Sequence, residues 1–341
     1  PGRRRRGIDH VEVIDASTAT AGVTINLASQ TDGFTVLGST FADTITGSTG
    51  ADTIRSGDGN DTIRDPVSAA FIDGGAGTDT VVLTKTSAGL NSLLDANLLN
   101  VETVTAASAT AGVVIDLSRQ TEKFTITGSA NADTITGGSG GDTISAGAGN
   151  DTIRNPVGVT SIDGGTGTDT IVLTGTSTNL NTLLDSKLVN VEAVDASSAL
   201  VGVTLNLANQ TEGFQIRGSA FNDTITGGFG VDNISAGAGD DIILGVSGLD
   251  TINGGDGRDT VQISATSLAL NALTDAQLAN VEVVSAATAA AGVTIDLSKQ
   301  SDGFTIIGSN FGSKLTGSSG SDNIQGGNGN DVINGGPGND T

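Results

Sequence analysis

Between Gly218 and Gln262 the chain repeats a polar stretch and a short apolar stretch with a strict period of nine residues. The five blocks read GSAFNDTIT, GGFGVDNIS, AGAGDDIIL, GVSGLDTIN and GGDGRDTVQ, each with Ile or Val in the eighth place. One apolar residue between two polar ones predicts a three-residue strand that points a single side chain inward. The glycine- and aspartate-rich remainder predicts a turn, because Gly adopts positive φ at no steric cost and Asp tolerates turns. The pattern therefore predicts a coil of very short strands.

Two blocks complete one turn of this coil, so residues eighteen apart should stack at one strand spacing, roughly 4.8 Å. Asp fills the sixth place of every block in this stretch. The stacking therefore places carboxylates in columns along two opposite edges. Stacked carboxylates repel one another unless something neutralises them. Calcium suits this role, because it takes six to eight oxygen ligands in tolerant geometry.

A longer repeat of ninety residues contains the nonapeptides. It begins with VEVIDAS at Val11 and returns at Val101, Val191 and Val281. Such a period without insertions predicts a stacked array, not separate globular domains. After a tail at 1–10, the predicted copies are 11–100, 101–190, 191–280 and a shorter fourth copy at 281–341. The nonapeptide segments within them are 38–82, 128–172, 218–262 and 308–341.

Each copy has two further kinds of segment. Three strand-like runs open it, and in the second copy they start at Val101, Gly112 and Lys123. Phe34, Phe124, Phe214 and Phe304 recur at one place of the third run, so we expect them in the core, with ligand stacking as the alternative. A leucine-rich segment follows each full set of nonapeptides. Its helical spacing of leucines predicts a short helix over about 87–98 in the first copy, packed against the solenoid or binding a partner.

The nonapeptide resembles the G-G-x-G-x-D-x-U-x calcium-binding repeat of the RTX proteins. The resemblance implies an all-β fold, a right-handed parallel β-solenoid or β-roll with short interspersed helices. It also implies that each ion sits between loops n and n+2 on one edge, held by Asp and by loop carbonyls. Eight Asp pairs eighteen residues apart then predict about eight calcium ions; the alternative is that Gly and Asp serve only as turn formers. The predicted metal ligands are Asp43, Asp61, Asp79, Asp133, Asp151, Asp169, Asp223, Asp232, Asp241, Asp250, Asp259, Asp322, Asp331 and Asp340.

Composition narrows the class of protein. A net charge of −23, with 15 basic and 38 acidic residues, argues against nucleic acid as a partner and favours a cation-binding protein. No Cys is present, so disulfides and thiolate metal sites are excluded. No apolar run approaches the length of a transmembrane helix. Arg3 to Arg6 are interpreted as a solvated tail, with a processing site or a cloning remnant as alternatives.

Signals for catalysis are weak. GGSGG at Gly137 to Gly141 matches the G-x-S-x-G pattern, but it falls in the nonapeptide register, and His10 is the only histidine. We therefore expect no enzyme. The expected function is that of a secreted, extracellular, bacterial cell-surface protein of the surface-layer, filament or adhesin type. It would leave the cell by type I secretion, fold on binding calcium, and self-associate into a filament or lattice or bind a glycan or cell-surface partner. The alternatives are an accessory RTX roll of a type I-secreted enzyme and a polysaccharide-binding β-helix.

Overall fold

Almost every apolar-centred triplet forms a three-residue strand, and each strand pairs in parallel with the strand two places further along the chain. The computed structural model describes residues 12–341, and they form the predicted all-β parallel solenoid. The tail at 1–10, with Arg3 to Arg6 and His10, lies outside the described residues. Two compact units divide the chain, Pro1–Asp169 and Thr170–Thr341, and each is described by itself.

In the first unit, three series of parallel strands build the coils. The first series is Val13–Asp15, Thr35–Leu37, Thr53–Arg55, Phe71–Asp73 and Leu98–Leu99. The second series is Thr24–Asn26, Thr44–Thr46, Thr62–Arg64, Thr80–Val82, Thr103–Thr105, Thr125–Thr127, Thr143–Ser145 and Ser161–Asp163. The third series is Val114–Asp116, Thr134–Thr136 and Thr152–Arg154. The strands predicted in the runs from Val101, Gly112 and Lys123 are therefore confirmed.

The second unit repeats this arrangement. Its first series is Thr170–Val172, Ala193–Asp195, Gln215–Arg217, Asn233–Ala238, Thr251–Asp256 and Leu278–Ala279. The next series is Thr204–Asn206, Thr224–Thr226, Ile242–Leu244, Thr260–Gln262, Val283–Ser285, Thr305–Ile307 and Asn323–Gln325, and the last is Thr294–Asp296, Lys314–Thr316 and Val332–Asn334. Leu188–Val189 is a further short strand.

The core is a stack of the central apolar residues of the strands. Ile45, Ile63 and Val81 are aligned in register along one series, and each is fully buried. The recurring phenylalanines are also in the core, as predicted; Phe34 is 9% exposed, and its three counterparts are 1–3% exposed. Because each strand directs one central side chain inward, the core is a narrow stack in which the β-branched residues Ile and Val are the most numerous.

The leucine-rich segments do not form the continuous helix predicted over 87–98. An α-helix covers only Ala88–Ser92, Leu93 is extended, and a 3₁₀ turn follows at Asp95–Asn97. The later copies have 3₁₀ turns alone, at Leu180–Thr182, Asp185–Lys187, Leu270–Ala272 and Asp275–Gln277. In the part of the chain that the structure describes, no helix is long and apolar enough to span a membrane.

The helix stops early because the segment must reach the next coil. Leu90, Leu93 and Leu98 are buried, but Leu94 is 58% exposed and its counterpart Leu184 is 63% exposed. A helix through residue 98 would keep the four leucines on one stripe. The extended backbone at Leu93 turns Leu94 outward instead, and it lets Leu98 join the strand that pairs with Phe71–Asp73.

The segments also cover sheet edges. Strand Val114–Asp116 pairs on one side only, with Thr134–Thr136. On its free side, the Val114 and Asp116 N–H groups donate to Thr86 Oγ1 and Asn91 Oδ1, at 2.8 and 3.0 Å. The same pairs of polar side chains cover the strands at Thr204–Asn206 and Thr294–Asp296. An exposed edge is a site for unwanted strand pairing, so this cover keeps the coils in order.

Leu90 and Leu94 form a matched pair for testing this packing. We expect Leu90→Ala to lower the free energy of unfolding by about 2–5 kcal/mol, because it removes a fully buried side chain. Leu94→Ala should change it by no more than about 0.5 kcal/mol, as is usual for exposed positions. Denaturant unfolding of both variants in saturating calcium measures the difference. Equal losses would show that the two leucines are packed alike.

Candidate metal centre

The aspartates predicted as ligands lie at the sixth place of the loops, and each hydrogen bonds to the neighbouring coil. Asp61 Oδ1 accepts the N–H of Asp43 at 2.7 Å, and Asp79 Oδ1 accepts the N–H of Asp61 at 2.7 Å. The same bond joins residues eighteen apart in the other columns. Its acceptors are Asp52, Asp142, Asp151, Asp169, Asp232, Asp241, Asp250, Asp259, Asp322, Asp331 and Asp340. Residues eighteen apart therefore stack as predicted. The contact between them is a hydrogen bond from the backbone N–H of one residue to the carboxylate of the other.

The second carboxylate oxygen divides these residues into two classes. In the closed class, both oxygens accept hydrogen bonds. Asp43 shows this most fully: the N–H of Ser39 donates to Oδ2 at 2.5 Å, and Ser39 Oγ and the N–H of Val23 donate to Oδ1 at 2.9 and 2.7 Å. We call the pair of bonds from the serine four residues earlier a serine clamp. It recurs at Asp52, Asp133, Asp223 and Asp322.

Three further aspartates are closed by backbone groups alone. The N–H of Gly138 donates to Asp142 Oδ2 at 2.6 Å, and that of Gly228 donates to Asp232 Oδ2 at 2.8 Å. Asp250 Oδ2 accepts the N–H of Ser247 at 2.8 Å. These three also accept an N–H from the preceding coil on Oδ1. Burial nevertheless raises the pKa of Asp142 and Asp232, and it raises that of Asp250 to about 6.

In the open class, Oδ2 is buried and has no hydrogen-bond partner. Its members are Asp61, Asp79, Asp151, Asp241 and Asp259. All five lie in loops of one kind, which we call glycine loops, with Gly at positive φ in the second and fourth places. In the loop that ends at Asp61 these are Gly57 (φ 105°) and Gly59 (φ 121°). The N–H that closes the carboxylate in the other loops makes no such bond here.

Glycine loops stack on each other in pairs. The N–H of Ala76 donates to Gly57 O at 3.1 Å, and the N–H of Gly59 donates to Ala76 O at 2.8 Å, which joins loops 56–61 and 74–79. Loops 146–151 and 164–169 are joined in the same way. Loops 236–241 and 254–259 pair over a longer stretch of strand. Side chains at the second and fourth places would collide with the backbone of the adjacent loop, so the close approach requires glycine there.

Burial shifts the acid strength of the open aspartates. Because it disfavours the charged carboxylate, burial raises the pKa of Asp79 and Asp151 to about 6 and that of Asp241 to about 7. It also raises the pKa of Asp61 and Asp259. Charged neighbours in the column add to the effect; for Asp241 they are Asp223, Asp259 and Asp240. The closed residues Asp142, Asp232 and Asp250 share this rise in pKa, so the missing hydrogen bond at Oδ2, and not the pKa, distinguishes the open class.

Two glutamates complete the columns, and the sequence reasoning missed them. Glu102 Oε2 accepts the N–H of Asp79 at 2.7 Å, and Glu282 Oε2 accepts that of Asp259 at 2.8 Å. Both glutamates belong to the V-E pair that opens each ninety-residue copy. The recurrence of this acidic residue was the feature of the sequence that could have indicated them. Asp52 and Asp142 were also left out of the predicted ligands, although they lie in the columns like the others.

The glycine loops of the first copy and those of the second copy lie at opposite edges of one parallel sheet. Strand Thr62–Arg64 follows the glycine loop 56–61, whereas strand Thr143–Ser145 precedes the glycine loop 146–151. Both strands belong to one parallel sheet, so the two loops lie at its opposite edges. The cause is that the first copy contains nine strands, an odd number, and every strand crosses from one edge to the other.

The donor set of the glycine loops fits calcium. The five open aspartates each offer a buried carboxylate oxygen without a hydrogen bond, next to glycine backbone that a neighbouring loop approaches closely. Among residues 12–341, no three His, Asp or Glu side chains gather into a group that could hold a metal ion. An ion at these loops would therefore take most of its ligands from backbone carbonyls, which calcium accepts. Bound calcium would supply the positive charge that the open carboxylates lack.

Comparison with known protein families agrees with this chemistry. The family model described as "RTX calcium-binding nonapeptide repeat (4 copies)" matches residues 35–64, 125–153, 215–243, 236–262 and 307–341. A search of curated proteins finds no match to the chain. The matched segments include the glycine loops that end at Asp61, Asp151, Asp241 and Asp259. The resemblance stated from the nonapeptide pattern is confirmed.

The raised pKa values predict how the metal-free protein responds to pH. A carboxylate whose folded pKa lies above the unfolded value of about 3.9 stabilises the fold while it is protonated, and this is lost as pH rises through the folded pKa. For Asp241 that window runs from about 4 to about 7. We expect metal-free protein to melt at a higher temperature at pH 5 than at pH 8, measured by circular dichroism after removal of metal.

Asp241→Asn should make this pH dependence smaller, because the neutral amide has no proton to lose. Asp302→Asn removes one exposed carboxylate and is the control for net charge. Equal slopes in the two variants, or a higher melting temperature at pH 8, would contradict the assignment of the buried carboxylates.

Proposed function

We propose that this chain, which carries the calcium-binding nonapeptide repeats of the RTX family, is a structural segment of an extracellular bacterial surface protein. The proposed parent is a surface-layer, filament or adhesin protein exported by type I secretion. In this proposal the chain is not itself an enzyme, and its repeated coils provide length and a regular surface. The proposed role of the chain is to self-associate, or to attach to a glycan or another cell-surface partner.

The observation that carries the proposal is the recurrence of paired glycine loops with open aspartates in each of the three full copies. Loops 56–61, 146–151 and 236–241 stand at the same place of successive ninety-residue copies. The same buried carboxylates therefore recur at a fixed period along the chain. Calcium bound at each of them would stiffen the whole array of repeats.

In the proposed mechanism, bound calcium neutralises carboxylates that become buried on folding. Before calcium binds, each pair of glycine loops must bury carboxylates whose ionised form is disfavoured by burial. Where calcium is scarce, as it is in the cytoplasm, this cost opposes completion of the fold. Calcium of extracellular concentration would fill sites with dissociation constants of about 10⁻⁴–10⁻³ M and offset it, so that folding is completed outside the cell.

Calcium should therefore increase the order of the protein. We expect the β signal in circular dichroism and the melting temperature to rise together when calcium is added to metal-free protein. Magnesium should have a weaker effect, because it requires tight octahedral geometry and retains its waters. Identical spectra and melting temperatures with calcium and with EDTA would exclude calcium-dependent folding.

The structural role is tested separately by electron microscopy of the calcium-loaded protein. Filaments or sheets that disperse in EDTA are expected, because uniform coils can associate through repeated surfaces. Monomers at every concentration and calcium level would favour the runner-up function, an accessory roll that assists the export and folding of an enzyme.

A further inference from the structure

We propose that calcium binds at one pair of glycine loops in each full copy, and that serine clamps replace the metal in the loops that begin the columns. The inference rests on the proposed calcium-dependent function and states which residues of the chain serve it. It reduces the ions expected for the three full copies, and it makes the clamped loops independent of calcium.

Neighbouring aspartates within one column differ in how their second oxygen is bonded. Asp43 and Asp61 are both 1% exposed, and both accept a backbone N–H on Oδ1. Ser39 completes the bonding of Asp43 with a hydroxyl and an N–H group, whereas Asp61 Oδ2 has no partner. Since hydrogen bonds from neutral donors already stabilise the carboxylate of Asp43, a cation has less to contribute there.

The same difference between neighbouring aspartates recurs in the second and third copies. Asp223 carries the serine clamp from Ser219, and the next member of its column, Asp241, is open. Asp133 carries the clamp from Ser129, and Asp151 follows it with an open Oδ2. In all three full copies the column begins with a closed aspartate and continues with a pair of glycine loops.

The chain itself contains a natural substitution at the clamped aspartate. The fourth copy has Ser313 at the place of Asp43, and its Oγ lies 3.1 Å from Ser309 Oγ, the counterpart of Ser39. The N–H of Ser309 is 3.3 Å from Ser313 Oγ, so the loop keeps its bonding without any charge. Ser313 is buried, and its own N–H still donates to Asp331 Oδ1 at 2.8 Å. A loop that tolerates a neutral hydroxyl at this place does not need a calcium ligand there.

The two kinds of loop exclude each other for steric reasons. The serine clamp needs a side chain at the second place of the loop, with its N–H directed at the aspartate. In glycine loops that place has positive φ, as at Gly57 and Gly237, and an added Cβ would meet the carbonyl oxygen of Ser39 or Ser219. The backbone conformation at the second place therefore separates the two kinds of loop. Gly138 and Gly228 stand at the same place without positive φ, and their N–H groups close the aspartate as a serine N–H does.

The loops are therefore divided along the chain into calcium-binding pairs and loops closed by serine clamps. In the first unit, the calcium-binding pairs 56–61 with 74–79 and 146–151 with 164–169 lie at opposite sheet edges. Calcium therefore controls one edge in the first copy and the other edge in the second copy. The serine clamps begin both columns whether or not calcium is present.

The experiment counts calcium ions and measures stability in matched variants of the full chain. Metal-free protein is titrated with calcium chloride in a calorimeter, and bound calcium is measured after gel filtration. The variants are Asp61→Asn, which alters an open aspartate, and Asp43→Asn and Ser39→Ala, which alter the clamp eighteen residues earlier. Melting temperatures of all proteins are recorded with EDTA and with calcium.

The unchanged protein should bind three ions at its paired loops, and Asp61→Asn should bind one fewer. Asp43→Asn and Ser39→Ala should retain all three ions but melt at a lower temperature in EDTA as well as in calcium. Should Asp61→Asn not fold, the two clamp variants still decide the matter, and Asp241→Asn with Asp223→Asn repeats the comparison in the third copy.

Loss of an ion in Asp43→Asn, or eight ions in the unchanged protein, would overturn the partition. Those outcomes would leave calcium-dependent folding intact. Absence of calcium binding by the unchanged protein would instead refute the proposed function, so the two failures are distinguishable.

Discussion

The hydrogen bond from a backbone N–H to the carboxylate eighteen residues later is the interaction on which the rest of this structure depends. A coil whose strands are three residues long has few ladder bonds per turn, so its loops must also be joined to their neighbours. The Asp43–Asp61–Asp79–Glu102 series makes this connection across four successive coils. Each bond aligns one loop over the next and so keeps the central apolar residues in register.

This way of joining loops also stacks negatively charged carboxylates in a buried column, and the proposed calcium binding depends on that charge. A carboxylate placed every 4.8 Å or so, in a buried column, is stabilised on one oxygen by an amide and needs something more on the other. Serine provides it at Asp43, and a glycine N–H provides it at Asp142. At Asp61 and Asp241 the second carboxylate oxygen is buried and has no hydrogen-bond partner. We propose that metal has its largest effect at these unsatisfied residues.

The odd number of strands per copy gives the array a further property. With nine strands in the first copy, the paired glycine loops move from one sheet edge to the other in the second. The leucine-rich segments make such a period possible, because Thr86 and Asn91 cover the free edge of the strand Val114–Asp116 where a new series begins.

The sequence by itself determined the strands, the coil and the positions of the aspartates. Periods of nine and ninety residues are local and repeated, and one apolar residue per block suffices to direct a strand inward, as Ile45 and Ile63 show. The sequence did not determine the course of the leucine-rich segment. Leucine spacing predicted one helix through Leu94, but contacts with the following coils end it at Ser92 and expose Leu94.

Only the tertiary structure decided which aspartates are satisfied. In the one-dimensional pattern Asp43 and Asp61 occupy the same place of the same motif, and pairing by eighteen treats them alike. Their difference comes from whether the second loop residue can direct an N–H and a hydroxyl back at the carboxylate, which depends on φ and on the backbone of the adjacent coil. Glu102 could not be assigned for the same reason: it reaches Asp79 only because the coil brings residues twenty-three apart together.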